Sequence, residues 1–129
     1  MKKNASKTIE IISTESQEQS ALFEWAQLLE RRTPELRLLF AIPNGGLRNK
    51  VVAAKLKAEG VKSGVPDVCL PVARNEHNGL FIEMKRRKDG KVSLEQAEWI
   101  RLLIEQGYKV MVCRGFDEAK KTIEEYLRL

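Results

Sequence analysis

Cys69, Cys113 and His77 are the only thiols and the only imidazole among 129 residues. With no Cys-x-x-Cys pair, a structural zinc site is excluded, and so is a disulfide-stapled scaffold. Any metal must then be a hard ion held by carboxylates, which makes Mg²⁺ or Mn²⁺ the default. Both cysteines lie in apolar stretches, where buried free thiols are common. No apolar run approaches the roughly 20 residues of a membrane helix, so no membrane partner is expected. The opening Met1-Lys2-Lys3-Asn4 leads into polar sequence and not into a signal-peptide core, which points to the cytoplasm. Repeats, low-complexity tracts and Pro/Gly/Ser linkers are missing too. The expected organisation is a loosely held arm over residues 1–14 and one domain over residues 15–129.

What the chain does have is charge, with a net excess of +5 that is concentrated in two places. Residues 44–62 carry Arg48, Lys50, Lys55, Lys57 and Lys62 against Glu59, and residues 85–91 carry Lys85, Arg86, Arg87, Lys88 and Lys91 against Asp89. Two basic segments on an otherwise mildly acidic chain suggest a side that faces a polyanion. The plain alternative is a pair of solvated lysine-rich faces.

Hydrophobic periodicity predicts the elements. Leu22, Trp25 and Leu29 recur at helical spacing from Glu15 to about Arg32, with Thr14 and Gln17 as a capping box. After Pro34, the run Leu36 to Ile42 reads as a strand closed by the turn Pro43-Asn44-Gly45-Gly46. Leu47, Val51, Ala54, Ala58 and Val61 trace the apolar stripe of a second helix ended by Gly60, with Arg48, Lys55 and Lys62 on another face. Val68–Val72 and Leu80–Met84 form a strand-loop-strand hairpin. Ser93 and Gln96 cap a helix carrying Leu94, Ala97, Ile100, Leu103 and Ile104 that stops at Gly107, Tyr108–Cys113 is a strand, and Asp117 opens a last helix. Trp25 and Trp99 both read as core. The fold class is α/β, with a central mixed four-stranded sheet flanked by helices and covered on both faces.

The chemistry concentrates in Pro66-Asp67 and Glu83-Met84-Lys85. Side chains two apart on a strand share a face, so Glu83 and Lys85 project together. If the start of one hairpin arm opposes the end of the other, Asp67 arrives beside Glu83. Two close carboxylates repel unless a cation neutralises them, and an ammonium beside them can stabilise charge growing on a phosphate. Asp67, Glu83 and Lys85 are therefore the first catalytic candidates, and Asp67 and Glu83 the first metal ligands. Asn44, Gly45 and Gly46, just before a basic helix, could let the backbone approach a phosphate, or could form a plain tight turn.

Pro66-Asp67, Glu83-x-Lys85, Gln96 with Trp99 and the upstream Pro43-Asn44-Gly45-Gly46 together resemble the VRR-NUC (virus-type replication-repair nuclease) branch of the PD-(D/E)xK nuclease superfamily, over about Glu15 to Glu118. The resemblance implies a restriction-endonuclease-like core in which Asp67 and Glu83 ligate the ion, the Met84 carbonyl is a further ligand, Lys85 is the catalytic lysine and Gln96 sits beside it, while Gln96 also caps its helix. It implies one more acid from the first helix. Glu15 fits the family's Glu followed four residues later by Gln19, whereas Glu18 shares the face of Leu22 and Trp25; Glu18 is favoured and Glu15 stays open.

On this reading the chain is a divalent-metal-dependent DNA endonuclease, resembling compact phage-type Holliday junction resolvases that act on branched DNA as homodimers. DNA contacts are expected from Asn44, Gly45, Gly46, Arg48, Lys50, Lys55, Lys62, Arg86, Arg87 and Lys88. A flap or nick nuclease, a non-selective nuclease and a non-catalytic nucleic-acid-binding module are the alternatives. Acids beside a basic face disfavour the last, because they repel DNA unless a cation intervenes.

Overall fold

The structure is a computed structural model that describes residues 12–43 and 49–129. Thr14 and Gln17 exchange both hydrogen bonds of the capping box, and helix α1 follows from Glu15 to Leu29. It ends short of Pro34. The expected strand over Leu36–Ile42 is mostly something else: Pro34–Leu38 is a single 3-10 stretch that turns Leu36 into the core, and strand β1 is only Phe40–Ala41. Proline at the first position sets the φ of that tight turn, which outweighs the apolar character of the residues after it.

Helix α2 spans Lys50–Ala58, capped by the Asn49 side chain on the Val52 N–H. Strands β2 (Val68–Leu70) and β3 (Leu80–Lys85) form the expected hairpin. Helix α3 (Leu94–Glu105), strand β4 (Lys109–Arg114) and helix α4 (Phe116–Leu127) complete the chain. Gly107, at φ +88°, ends α3 in the left-handed conformation that glycine adopts without a steric cost.

The sheet order is β1-β2-β3-β4, antiparallel except for the parallel pair β3 and β4, which α3 connects. Its two faces differ. Leu80, Ile82 and Met84 point to one side, where α1 supplies Leu22 and Ala26 and α4 supplies Ala119, Ile123, Tyr126 and Leu127; this is the dry core. Trp25 packs against it. Phe81, Glu83 and Lys85 point to the other side, which α3 covers without burying any residue of its own fully. Expected coverage of both faces is thus met unevenly, and the looser face is the one that carries the charges. Cys69 and Cys113 are buried free thiols.

Two expectations about packing fail. No residue of α2 is buried, and Val51 is 80% exposed, so its apolar stripe finds no partner among the described residues. A groove of about 540 Å³, lined by Leu56, Lys57 and Lys62 and closed by a Ser63 hydroxyl that donates to Glu95, separates α2 from α3. Trp99 is half-buried outside the core; it lies against Gly64 and lines a second groove.

Candidate active site

The hairpin register places Val68 opposite Ile82, and one step further Asp67 falls opposite Glu83. Pro66 has no N–H to continue the ladder. The Asp67 side chain reaches across to β3: Oδ2 accepts the Met84 N–H at 2.7 Å, while the Asp67 carbonyl accepts the Ile42 N–H at 2.7 Å. Asp67 is thereby fixed between β1 and β3 at the point where the sheet opens. The Lys85 side chain is held just as firmly. Lys85 Nζ donates to Gln96 Oε1 at 2.9 Å and lies 3.7 Å from Glu83 Oε2, and Gln96 Nε2 donates to that same Oε2 at 2.9 Å.

Gln96 therefore does both things expected of it. Its Oε1 also accepts the Ser93 N–H at 2.9 Å, completing the second capping box, so the residue that closes the cap in the first turn of α3 is the one that orients Lys85 and Glu83. A helix N-terminus is rigid where it is capped, and this one delivers its cap into the site.

Glu83 is 1% exposed and Lys85 is 7% exposed. Burial, reinforced by the Asp67 charge across the hairpin, pushes the Glu83 carboxyl up to about 8, and the Glu15 charge acts in the same direction. Burial also raises Asp67, against the Met84 N–H that lowers it. Glu83 Oε1 is buried with no hydrogen-bond partner. An orphaned carboxylate oxygen facing a second carboxylate is an expensive arrangement for a structural site and a useful one for a cation.

The two acids of α1 are used differently. Glu15 is exposed at the first turn and its charge is felt at Glu83. Glu18 is 4% exposed and engaged elsewhere: it accepts Arg87 Nε at 3.0 Å, Arg87 Nη2 at 3.3 Å and the Phe116 N–H at 2.7 Å. Gly115, at φ +95°, makes this possible, because a Cβ there would stand 3.0 Å from the Arg87 side chain and 3.2 Å from Glu18 Oε1. The knot ties α1, the loop after β3 and the start of α4 together. Arg87, expected on DNA, is thus half-committed to Glu18, with Asp117 3.5 Å away.

Arg87 beside Glu18 holds that carboxyl below its ordinary 4.5, so its contribution to stability is complete above that value and is lost as pH falls through the folded pKa. Glu18→Ala leaves the Phe116 N–H without its acceptor and should cost about 1–3 kcal/mol at neutral pH. Thermal melts should show that deficit constant down to about pH 5 and shrinking below about pH 4. A deficit that persists unchanged into acid would mean the charge of Glu18 is immaterial.

Of the other basic candidates, Lys50, Lys55 and Lys62 are exposed on and after α2, and Arg86 and Lys88 are exposed on the loop after β3. Asn44, Gly45, Gly46 and Arg48 lie outside the described residues. One basic residue that the sequence did not single out is brought to the site: Arg114, register partner of Lys85 on the adjacent strand. Only the parallel pairing of β3 and β4 puts these two cations side by side, and no local pattern announces it.

The profile of the VRR-NUC domain family matches residues 2–117 of this sequence. The chain belongs to the VRR-NUC family. A solved structure described as a VRR_NUC domain protein is 30% identical to it, with a TM-score of 0.76 over 91% of this chain and 90% of that one. No curated protein matches the sequence. Family membership makes this VRR-NUC domain a nuclease of the PD-(D/E)xK type, a class that typically depends on a divalent metal ion. The residues present fit such an ion. Among the described residues no three Asp, Glu, His or Cys side chains group closely enough to hold a metal, but Mg²⁺ commonly takes only one or two carboxylates and keeps several waters. Asp67 and the orphaned Glu83 Oε1 would supply that pair. None of the helices is long and apolar enough to cross a membrane among the described residues.

Proposed function

We propose that this VRR-NUC domain is a divalent-metal-dependent endodeoxyribonuclease that selects branched DNA, acting as a Holliday junction resolvase through a homodimer. The observation that carries the reading is the Asp67, Glu83, Lys85 and Gln96 cluster, in which two opposed carboxylates share the charged face of the sheet with one ammonium. Asp67, Glu83 and the Met84 carbonyl would hold Mg²⁺ or Mn²⁺, which when bound supplies Lewis-acid activation of water and of the phosphate. Glu15 is the better assignment for the further acid, because its charge reaches Glu83 whereas Glu18 is bound to Arg87.

The protein's own groups do the rest. Gln96 fixes the Lys85 ammonium with its Oε1 and the Glu83 carboxylate with its Nε2, so neither has to reorganise as negative charge grows on the phosphate. Lys85 stabilises that charge directly. The exposed Lys50, Lys55 and Lys62 and the loop residues Arg86 and Lys88 contact backbone phosphates, with Asn44, Gly45, Gly46 and Arg48 joining them. A four-way junction needs two incisions related by its approximate two-fold symmetry, and a closed dimer of a domain with one catalytic set supplies two sites in that relation.

The test is a matched set of four-way, flap, nicked and linear DNA incubated with the purified protein in Mg²⁺, Mn²⁺ and EDTA, with light scattering alongside. Cleavage confined to the metal-containing reactions, strongest on the four-way junction and accompanied by a dimer, is the expected result. A monomer that prefers flaps or nicks would replace the resolvase reading with that of a flap nuclease. Equal cleavage of all four would remove branch selectivity, and binding without cleavage in any metal would leave a binding module.

A further inference from the structure

Arg114 closes β4 at the register position of Lys85, so in this parallel pair both side chains lie on the charged face of the sheet, on strands about 5 Å apart. The Arg114 guanidinium donates through Nη1 to the Gly90 carbonyl at 2.6 Å. Gly90 in turn sits over the stem of Lys85: a Cβ there would stand 3.2 Å from Lys85 Cβ. Arg114 is thus pinned beside the catalytic lysine and beneath the basic loop that carries Arg86, Lys88 and Lys91.

Its electrostatic surroundings are unusual. Lys85 has Glu83 as a counter-charge, and Arg87 has Glu18 and Asp117. Arg114 is half-buried, yet among the described residues no carboxylate lies within ion-pair distance of its guanidinium; Glu118 is engaged with its backbone N–H, at 2.7 Å. A partly desolvated guanidinium next to an ammonium, held by a neutral carbonyl alone, is costly unless an anion completes it. Guanidinium groups favour phosphate, which their fork of donors can grip at two oxygens.

We infer that Arg114 is a phosphate-binding residue of the active site, gripping a DNA backbone phosphate next to the scissile one and so fixing the register of the strand over Asp67 and Glu83. This rests on the nuclease reading and adds a contact to it. The loop pinned through Gly90 then carries the strand's neighbouring phosphates toward Arg86 and Lys91.

The experiment is a cycle between protein and DNA. A cleavable DNA is prepared with single methylphosphonates, each neutralising one backbone phosphate, and KM and kcat are measured for the parent and for Arg114→Gln. Neutralising one phosphate adjacent to the cut should raise the parental KM about tenfold, and Arg114→Gln should do the same on unmodified DNA while becoming indifferent to that one methylphosphonate. The slope of log affinity against log salt should fall by about 0.9. Should Arg114→Gln fold poorly, Arg114→citrulline, made by joining a Cys113–Leu129 peptide to residues 1–112, keeps the shape and an NH2 that can donate to Gly90, and replaces the charge and the other NH2 with a neutral carbonyl. Independent, multiplying effects of the protein and DNA changes would overturn the assignment. If the parent cleaves nothing, the nuclease reading fails by itself, and the same methylphosphonate set read by binding affinity still decides whether Arg114 holds a phosphate.

Discussion

Glu83→Gln should lower single-turnover cleavage in Mg²⁺ or Mn²⁺ by about a hundredfold or more and, in EDTA, raise the melting temperature. The two halves come from one geometry. Glu83 is 1% exposed, faces Asp67 across the hairpin and leaves Oε1 without a hydrogen bond. An amide in its place fills the same volume, removes the repulsion and brings an N–H that can donate to Asp67. The sign follows from a carboxyl raised from 4.5 to about 8: ionising it in the folded protein opposes folding, not at all below the lower value and fully above the higher one. The gain from Glu83→Gln in EDTA should therefore grow as pH rises from about 4.5 toward 8. Added Mg²⁺ should reverse the order by stabilising the parent and not the variant. Calorimetry across pH, with and without metal, reads all of this. Cleavage near the parental rate, or melting temperatures that never cross, would sink the metal-site assignment.

Local chemistry made much of this site legible. Pro66-Asp67 at the start of one strand and Glu83-x-Lys85 at the end of the next need only the antiparallel rule to meet, and Ser93 with Gln96 is a capping pattern that reads directly. The VRR-NUC resemblance rests on Pro66-Asp67, Glu83-x-Lys85 and Gln96 together with Trp99 and Pro43-Asn44-Gly45-Gly46. What local pattern leaves open or misplaces is decided by distant partners. Glu15 and Glu18 stand one turn apart on α1, and what separates their uses is Arg87, 69 residues away, and the Phe116 N–H, 98 residues away. The stripe of α2 has a proper helical period, yet periodicity says only that a face could be buried, not that a partner exists to bury it. Leu36–Ile42 is apolar enough for a strand, and a proline two residues upstream diverts half of it into a 3-10 turn. Arg114 became visible only with the parallel register of β3 and β4.

Lys85→Met should lose about 10²–10³-fold in the cleavage rate while metal and DNA affinities stay within a few-fold of the parent. Lys85 is 7% exposed, so its unbranched stem is packed, and methionine fills nearly the same path without the charge. The neighbours tolerate the change. Gln96 Oε1 keeps the Ser93 N–H when it loses Nζ, so the capping box of α3 and the Nε2 bond to Glu83 survive. Glu83 loses the cation at 3.7 Å, which leaves its carboxylate no weaker as a ligand for a divalent ion. DNA affinity is spread over many exposed lysines and arginines, and one buried ammonium contributes little to it. What disappears is the positive charge already in place where negative charge develops on the phosphate, an interaction stronger in the transition state than in the bound substrate. Calorimetric titration of metal into the DNA complex, paired with single-turnover rates, separates the two. An unchanged rate would reduce Lys85 to a packed strand residue, and a lost metal affinity would make its charge part of the ligand shell's stability and not of the chemical step.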